Sequence, residues 1–292
     1  MGLGEILSLL CALLWAFAVI FYKRAGDHFN AYEMNLFKST FVLILMVPTV
    51  ALTDGIIMPL MSQFQFWLIM ISGFVGIMLA DMFYLRALQL IGASLTGITG
   101  SLYSPFVVGL SLLFLGEYLQ FWQYVGMLLV LFGVVLVGYR KKSLIERHPP
   151  IRGFIYAALA VFFTALGIVI IKPISNELPF FWILLIRSFG GFTSMLLYGI
   201  ILRKSLSVSH VIKAKGGHWL ILGAFIGQYL SMMVWVAGYK YTSASIASIL
   251  NETASIFILI LSWLMLGEHL TVRKLLGIMI TIAGVILVLL MN

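Results

Sequence analysis

The chain has little charge and almost no cysteine. Charged residues make up 10% of its 292 positions, whereas 62% are hydrophobic. A soluble domain of this size has no interior large enough to bury that much apolar surface, so a soluble fold is excluded. Cys11 is the only cysteine, which rules out an internal disulfide and leaves the redox compartment undetermined.

Motifs of catalysis and of ATP hydrolysis are also missing. The sequence has no Gly-rich phosphate loop, no HExxH zinc motif and no GxSxG nucleophile motif. The five histidines all fall in or beside predicted connections between hydrophobic runs. We therefore expect no enzyme activity and no cofactor, and a primary pump would need another chain.

Long apolar runs are what the chain has instead. Ten of them have about the 20 residues that a helix needs to cross the hydrocarbon core of a bilayer. They lie near 4–22, 33–52, 67–88, 95–115, 122–139, 153–172, 180–201, 218–239, 244–266 and 273–291. The first run lacks the basic start and the cleavage site of a signal peptide, so we predict that it is retained. The sequence thus predicts an all-α integral membrane protein with ten transmembrane helices.

The two halves of the chain repeat each other. Residues 113–119 read LFLGEYL and residues 264–270 read LMLGEHL, an offset of 151. At an offset of 149, Lys38 corresponds to Arg187. Each half holds five predicted spans, and an odd number inserts the second half upside down relative to the first. The prediction is two inverted five-helix repeats.

The distribution of basic residues orients these repeats. Fourteen Lys and Arg residues lie in connections on one predicted side, against Lys172 and Lys240 on the other. The positive-inside rule places the richer side in the cytoplasm and both termini outside it. We predict a first repeat at 1–140, a cytoplasmic linker at 141–150 and a second, inverted repeat at 151–292. The positive net charge is therefore explained by the orientation of the protein in the membrane and does not indicate nucleic-acid binding.

Repeated glycines indicate where two spans touch. Gly126 and Gly133 recur at the offset of 151 as Gly277 and Gly284. Small residues let transmembrane helices approach closely. We therefore predict that these glycines hold spans five and ten together.

Four charged residues lie inside the predicted spans and away from the span ends: Lys38, Asp81, Arg187 and Glu252. A charge that faces lipid costs ~2.5–3.5 kcal/mol on insertion scales, so such residues face a cavity or a partner. Lys38 and Asp81 lie at similar depth from the inner side, which predicts an ion pair or an inner gate. Arg187 and Glu252 lie at similar depth from the outer side. For them a structural ion pair and a substrate site stay open as alternatives.

Aromatic and polar residues share helix faces with these charges. Helical spacing on spans one, three, four, eight and nine selects the candidate substrate-binding residues Trp15, Tyr22, Asp81, Tyr84, Tyr103, Gln228, Trp235, Tyr239 and Glu252. A quaternary ammonium ion has no hydrogen-bond donor and is held by π faces and net charge. Aromatic residues with one carboxylate therefore predict an organic-cation site.

The ten spans, the five-plus-five duplication and the LGE sequences at Gly116-Glu117 and Gly267-Glu268 resemble the drug/metabolite transporter superfamily, EamA type. The resemblance covers almost the whole chain, and length and pattern are also similar to bacterial choline permeases. It implies a secondary transporter with a central cavity lined by spans one, three, four, six, eight and nine. The EamA pattern usually places a proline in the fourth span of each half. Pro105 fits, whereas the second half has Asn251-Glu252-Thr253.

Together these features favour a transporter that imports choline or a related quaternary ammonium cation by alternating access. Protons are a candidate coupling ion. The alternative is an exporter or exchanger of amino acids or other small metabolites, in which Arg187 and Lys38 hold a substrate carboxylate. Either reading expects a small-molecule substrate, a surrounding lipid bilayer and no nucleic acid. The resemblance implies a multi-pass protein of the bacterial plasma membrane.

Overall fold

The computed structural model describes residues 2–138, 150–266 and 272–291, and within these ranges every regular element is helical. The first half contains α1 (Leu3–Ala25), α2 (Ala31–Thr53), α3 (Gln63–Gly73), α4 (Ala80–Gly100), α5 (Tyr103–Leu115) and α6 (Phe121–Gly138). The second half contains α7 (Ile151–Ile171), α8 (Phe180–Ile201), α9 (Ser209–Lys213), α10 (Gly217–Gly223), α11 (Met232–Tyr241), α12 (Ala244–Asn251), α13 (Ala254–Leu266) and α14 (Val272–Leu290).

The helices account for ten crossings of a bilayer. Seven helical stretches of the described chain are long and apolar enough to span it, and three shorter apolar helices complete the set. The third span runs on to Gly92, four residues beyond its predicted end. Gly92 has a positive φ of 74°, a backbone conformation that glycine adopts without strain. The predicted fold class, an all-α membrane protein of ten spans, is confirmed.

The fourth span of each half is broken at the same place. α4 ends at Gly100 and α5 begins at Tyr103, while α12 ends at Asn251 and α13 begins at Ala254, the same break at an offset of 151. Pro105 lies in the first turn of α5, where its missing N–H removes no intrahelical hydrogen bond. The second half breaks without a proline, so the break is common to both halves although the residue is not.

The third span of each half contains a π-helical stretch, Phe74–Leu79 in the first and Ala224–Ser231 in the second. Such stretches are rare and frequently lie at functional sites. Gly76 and Gly227 occupy them at the offset of 151. A Cβ on Gly76 would lie 2.5 Å from Nη2 of Arg187, and one on Gly227 would meet α1 just as closely. Glycine therefore makes room for a close neighbour in both stretches.

The two halves interlock around a common centre. α1 packs against α10, α11, α12 and α13 of the second half, and α7 packs against α3, α4 and α5 of the first. α6 packs along α14, where a Cβ on Gly126 would lie 2.9 Å from the carbonyl oxygen of Gly284, and one on Gly133 would lie 2.7 Å from that of Gly277. The predicted glycine contact between spans five and ten is confirmed. The first span of each half thus faces the third and fourth spans of the other.

Candidate substrate-binding cavity

A cavity of about 210 Å³ lies where the halves meet. Its wall comes from α1, α4, α5, α7, α11, α12, α13 and both π-helical stretches, with Arg187 added by α8. The duplication relates lining residues in pairs: Tyr84 corresponds to Trp235 at an offset of 151, and Trp15 to Thr164 at 149. The cavity therefore lies on the pseudo-two-fold axis that relates inverted repeats.

Seven of the nine candidate residues line this cavity: Trp15, Asp81, Tyr84, Tyr103, Gln228, Trp235 and Glu252. Tyr22 and Tyr239 do not reach it. Tyr22 turns toward the glycine face of span eight, where a Cβ on Gly223 would lie 2.7 Å from its ring. These two tyrosines therefore lie behind the wall and support the aromatic rings that form it.

The aromatic residues form two groups on the wall. In one group the ring centroids of Trp15 and Tyr84 lie 5.7 Å apart. In the other, the Tyr103 and Tyr239 hydroxyls share a hydrogen bond, and the Tyr239 ring lies 5.4 Å from that of Trp235. The first group belongs to the first half, whereas the second combines Tyr103 of the first half with Tyr239 and Trp235 of the second. A solute between them therefore meets π faces from both halves. Such faces attract a cation.

Lys38 and Asp81 lie in contact. The Lys38 ammonium donates to Asp81 at 2.8 Å and lies 4.8 Å from the Tyr22 ring centroid. Asp81 belongs to the cavity wall, whereas Lys38 is not among the lining residues. The charge of Asp81 in the cavity wall is therefore balanced by Lys38. Lys38 is committed to Asp81, so it is not placed to hold a substrate carboxylate. The use of this pair as an inner gate stays a prediction.

Arg187 reaches the cavity without an acid beside it. The residue is 1% exposed, and its Nε and Nη1 have no hydrogen-bond partner among the described residues. Its guanidinium carbon lies 5.1 Å from the ring centroid of Trp235. The structural ion pair with Glu252 is not among the salt bridges of the described chain. Matching depths set only one coordinate, and the Glu252 carboxylate is directed elsewhere.

Glu252 caps a helix of the other half. It lies in the break between α12 and α13, and its Oε1 accepts a hydrogen bond from the backbone N–H of Ser104 at 3.1 Å. Ser104 lies in the first turn of α5, where free N–H groups and the helix dipole favour a negative group. A carboxylate that also belongs to the cavity wall is thereby fixed by a helix N-terminus rather than by Arg187.

The acid of the first LGE sequence has a related position. Glu117 accepts hydrogen bonds from the backbone N–H groups of Ala244 and Ser245, at 3.0 and 3.1 Å. These groups form the N-terminus of α12, in the opposite half. Each half therefore supplies an acid that caps the broken fourth span of the other. The second LGE sequence, at Gly267-Glu268, lies outside the described residues.

Lys172 binds the end of α11, in the connection between spans eight and nine. Its ammonium donates to the carbonyl oxygens of Tyr239 and, at 2.6 Å, Thr242, where α11 ends. Burial lowers the pKa of Lys172, which lies outside the membrane-spanning segments, and the negative charge of Glu117 opposes that shift. The turn between spans eight and nine is thus tied by two opposite charges.

Asn251 is a lining residue that our sequence analysis missed. Its amide lies beside the Tyr239 hydroxyl. It borders the cavity at the break where the first half has Gly100. The available signal was the departure of Asn251-Glu252-Thr253 from the expected proline, which we assigned to Glu252 alone.

The interlocked halves and their enclosed cavity define a membrane transporter. The EamA-like transporter family matches the chain twice, over residues 2–139 and 151–290. The chain belongs to this family, as its resemblance predicted. It is therefore a multi-pass membrane transporter with two repeated halves, and the family name describes a transporter rather than an enzyme.

Individual relatives agree with this assignment. An uncharacterized transporter of Archaeoglobus fulgidus is 25% identical over 295 residues, covering 98% of this chain and 97% of that protein. A solved structure titled "Crystal structure of protein" covers 99% of both chains with a TM-score of 0.78 and 16% identity. At that identity the likeness shows the fold alone.

Proposed function

We propose that this transporter carries choline or a related quaternary ammonium solute by alternating access. The observation that carries the proposal is the cavity wall, in which Trp15, Tyr84, Tyr103 and Trp235 stand around a space bordered by Glu252. A quaternary ammonium has no N–H to donate, so π faces and a nearby negative charge are the groups that recognise it.

The charges of the wall support this substrate class. Asp81 is balanced by Lys38, whereas the Glu252 carboxyl accepts a backbone N–H and forms no ion pair with a described residue. An inside-negative potential favours cation entry by ~2.3 kcal/mol per charge per 100 mV. Uptake of a cation therefore needs no coupling ion. A proton requirement would be an additional property, visible as uptake that follows the pH gradient.

The breaks in the helices support alternating access. The fourth spans break at Ser101-Leu102 and at Glu252-Thr253, and the third spans carry the π-helical stretches. These irregular segments flank the cavity in both halves, where each can act as a hinge. We place repeats at 1–140 and 151–292 around a cytoplasmic linker at 141–150. Both termini then lie on the extracytoplasmic side of the bacterial plasma membrane.

A second candidate is an exporter or exchanger of amino acids or related metabolites. The guanidinium of Arg187 favours it, because two of its nitrogens lack partners at the cavity. Lys38 does not support it, since its ammonium is bonded to Asp81.

The proposal is tested by uptake of labelled choline into proteoliposomes that hold the purified protein. A potassium diffusion potential, negative inside, is expected to accelerate uptake over liposomes without protein, and excess unlabelled choline is expected to compete. Absence of competed uptake at any potential would contradict the proposal. Uptake of labelled leucine or phenylalanine in proteoliposomes that show no competed choline uptake would favour the second candidate.

A further inference from the structure

The duplication places a cation at the same point in each half but an acid beside only one of them. Lys38 has Asp81, bonded at 2.8 Å. Arg187 corresponds to Lys38 at an offset of 149, and the residue that corresponds to Asp81 at 151 is Met232. Both Arg187 and Met232 line the cavity. The second half therefore has the positive charge, but where the first half has a carboxylate it has the thioether of a methionine.

A buried guanidinium without an anion is costly. Burying an unpaired charge carries a large desolvation penalty, which a hydrogen-bonded counter-charge offsets. The guanidinium carbon of Arg187 lies 5.1 Å from the Trp235 ring centroid, a contact that supplies no negatively charged oxygen to its N–H groups. Those N–H groups form a planar fork that matches a carboxylate.

The neighbouring acids are occupied elsewhere. Asp81 is bonded to Lys38, and Glu252 accepts from the backbone of α5. Asn251, on the same wall, is a neutral amide and supplies no anion. Of the described groups around the cavity, none places a carboxylate in salt-bridge contact with Arg187, so an anionic group of the solute can take that place.

We infer that Arg187 is an anion subsite and that the transported solute is a zwitterion, an ammonium group joined to a carboxylate. The inference rests on the proposed function and narrows it. The ammonium lies among the aromatic rings near Glu252, and the carboxylate meets the guanidinium. Trp235 contacts both regions, since it belongs to the aromatic wall and lies against Arg187. The ammonium then faces aromatic rings and a carboxyl group, and the carboxylate faces a guanidinium.

The inference has a consequence for energetics. A zwitterion carries no net charge, so the membrane potential does no work on it. Its transport is electroneutral unless an ion accompanies it. A bare cation carried by the same protein moves charge, and this difference is measurable as a current.

Choline and glycine betaine test the inference, because they share a trimethylammonium group and differ by a hydroxymethyl group against a carboxylate. Calorimetry on the purified wild-type protein is expected to show at least tenfold tighter binding of glycine betaine, about 1.4 kcal/mol. Arg187→Met is expected to remove this preference, because it removes the group that receives the carboxylate. Met232→Asp is expected to remove the preference as well, because it gives Arg187 an acid in the way that Asp81 gives one to Lys38.

Two further variants make the test independent of folding at Arg187. Gly76→Ala leaves Arg187 in the chain but places a Cβ 2.5 Å from its Nη2, and is expected to weaken glycine betaine selectively. Gly109→Ala is the matched control, since nothing lies within 4 Å of its added Cβ. It is expected to keep the wild-type preference.

The outcomes separate the two proposals. Equal binding of both ligands by the wild type, or a preference that persists in Arg187→Met or Met232→Asp, would overturn the anion subsite and leave choline transport standing. Failure of the wild type to bind either ligand would overturn both. Electroneutral betaine uptake together with an electrogenic choline current would support both.

Discussion

Lys38 and Asp81 form a buried ion pair at 2.8 Å that joins the second and third spans of the first half. Lys38 is 1% exposed and Asp81 is 14% exposed. The positions that correspond to them in the second half hold Arg187 and Met232, so the pair exists once in a duplicated structure. This asymmetry distinguishes the two sides of an otherwise pseudo-symmetric cavity.

Removal of one partner of this pair is expected to cost more than removal of both. Asp81→Asn leaves the Lys38 ammonium buried without its acid, at a cost of about 3 kcal/mol in the free energy of unfolding. The double variant Lys38→Met with Asp81→Leu is expected to recover most of that loss. Thermal unfolding in detergent measures the stability of the wild type, the single variants and the double variant. Choline uptake by the same proteins measures whether the pair acts as a gate. Strictly additive losses would show that the two residues do not act as a pair.

The cap on α12 is expected to matter more than an ordinary surface cap. Glu117→Gln removes a charge that accepts two backbone N–H bonds from the opposite half, and charge-assisted bonds contribute about 2 kcal/mol. Glu33→Gln is the matched control, because Glu33 bonds the N–H of Asn30 at an exposed helix start. We expect a clear fall in melting temperature for Glu117→Gln alone. Equal effects of the two changes would show that Glu117 is an ordinary cap.

Glu252 is expected to act on the solute rather than on Arg187. Glu252→Gln keeps an oxygen that can accept the Ser104 N–H, so the protein is expected to fold but to lose most choline uptake. Because Glu252 and Arg187 are not paired, adding Arg187→Met is not expected to restore it. Wild-type uptake in that double variant would remove Glu252 from the substrate site.

The predicted orientation is tested by cysteine labelling on a Cys11→Ser background. Ile145→Cys, in the linker, is expected to resist a membrane-impermeant maleimide added to intact cells and to react after lysis. Ile57→Cys is the matched control, since Ile57 is 89% exposed in the connection after span two and is expected to react from outside. Labelling of position 145 in intact cells would reverse the topology.

The repeat and the spans could be predicted from the sequence because both are local properties. Apolar runs indicate length along the membrane normal, and glycines repeated at the offset of 151, such as Gly126 and Gly277, indicate a helix contact that both halves share. The break in the second half could not be predicted, because Asn251-Glu252-Thr253 has no proline such as Pro105 to indicate it.

The cavity could be predicted only in part for a related reason. Helical spacing tells which residues share a face but not which neighbour that face meets. Trp15 and Tyr84 meet at the wall, whereas Tyr22, on the same face as Trp15, packs against the glycines of span eight. Depth alone likewise suggested Glu252 as a partner for Arg187. The Arg187 side chain leaves its helix in a direction that does not bring it to that acid.

Calorimetry with choline tests the central claim, an organic-cation site among aromatic rings, most directly. The purified wild-type protein is expected to bind choline saturably. A desolvated cation–π contact is worth ~2 kcal/mol, so Trp15→Leu and Trp235→Leu are each expected to weaken binding by roughly 30-fold, and Trp→Phe less. Trp67→Leu, at a residue 59% exposed on α3, is expected to bind as the wild type does. Absence of choline binding, or equal affinity in the Trp15, Trp235 and Trp67 variants, would contradict the account.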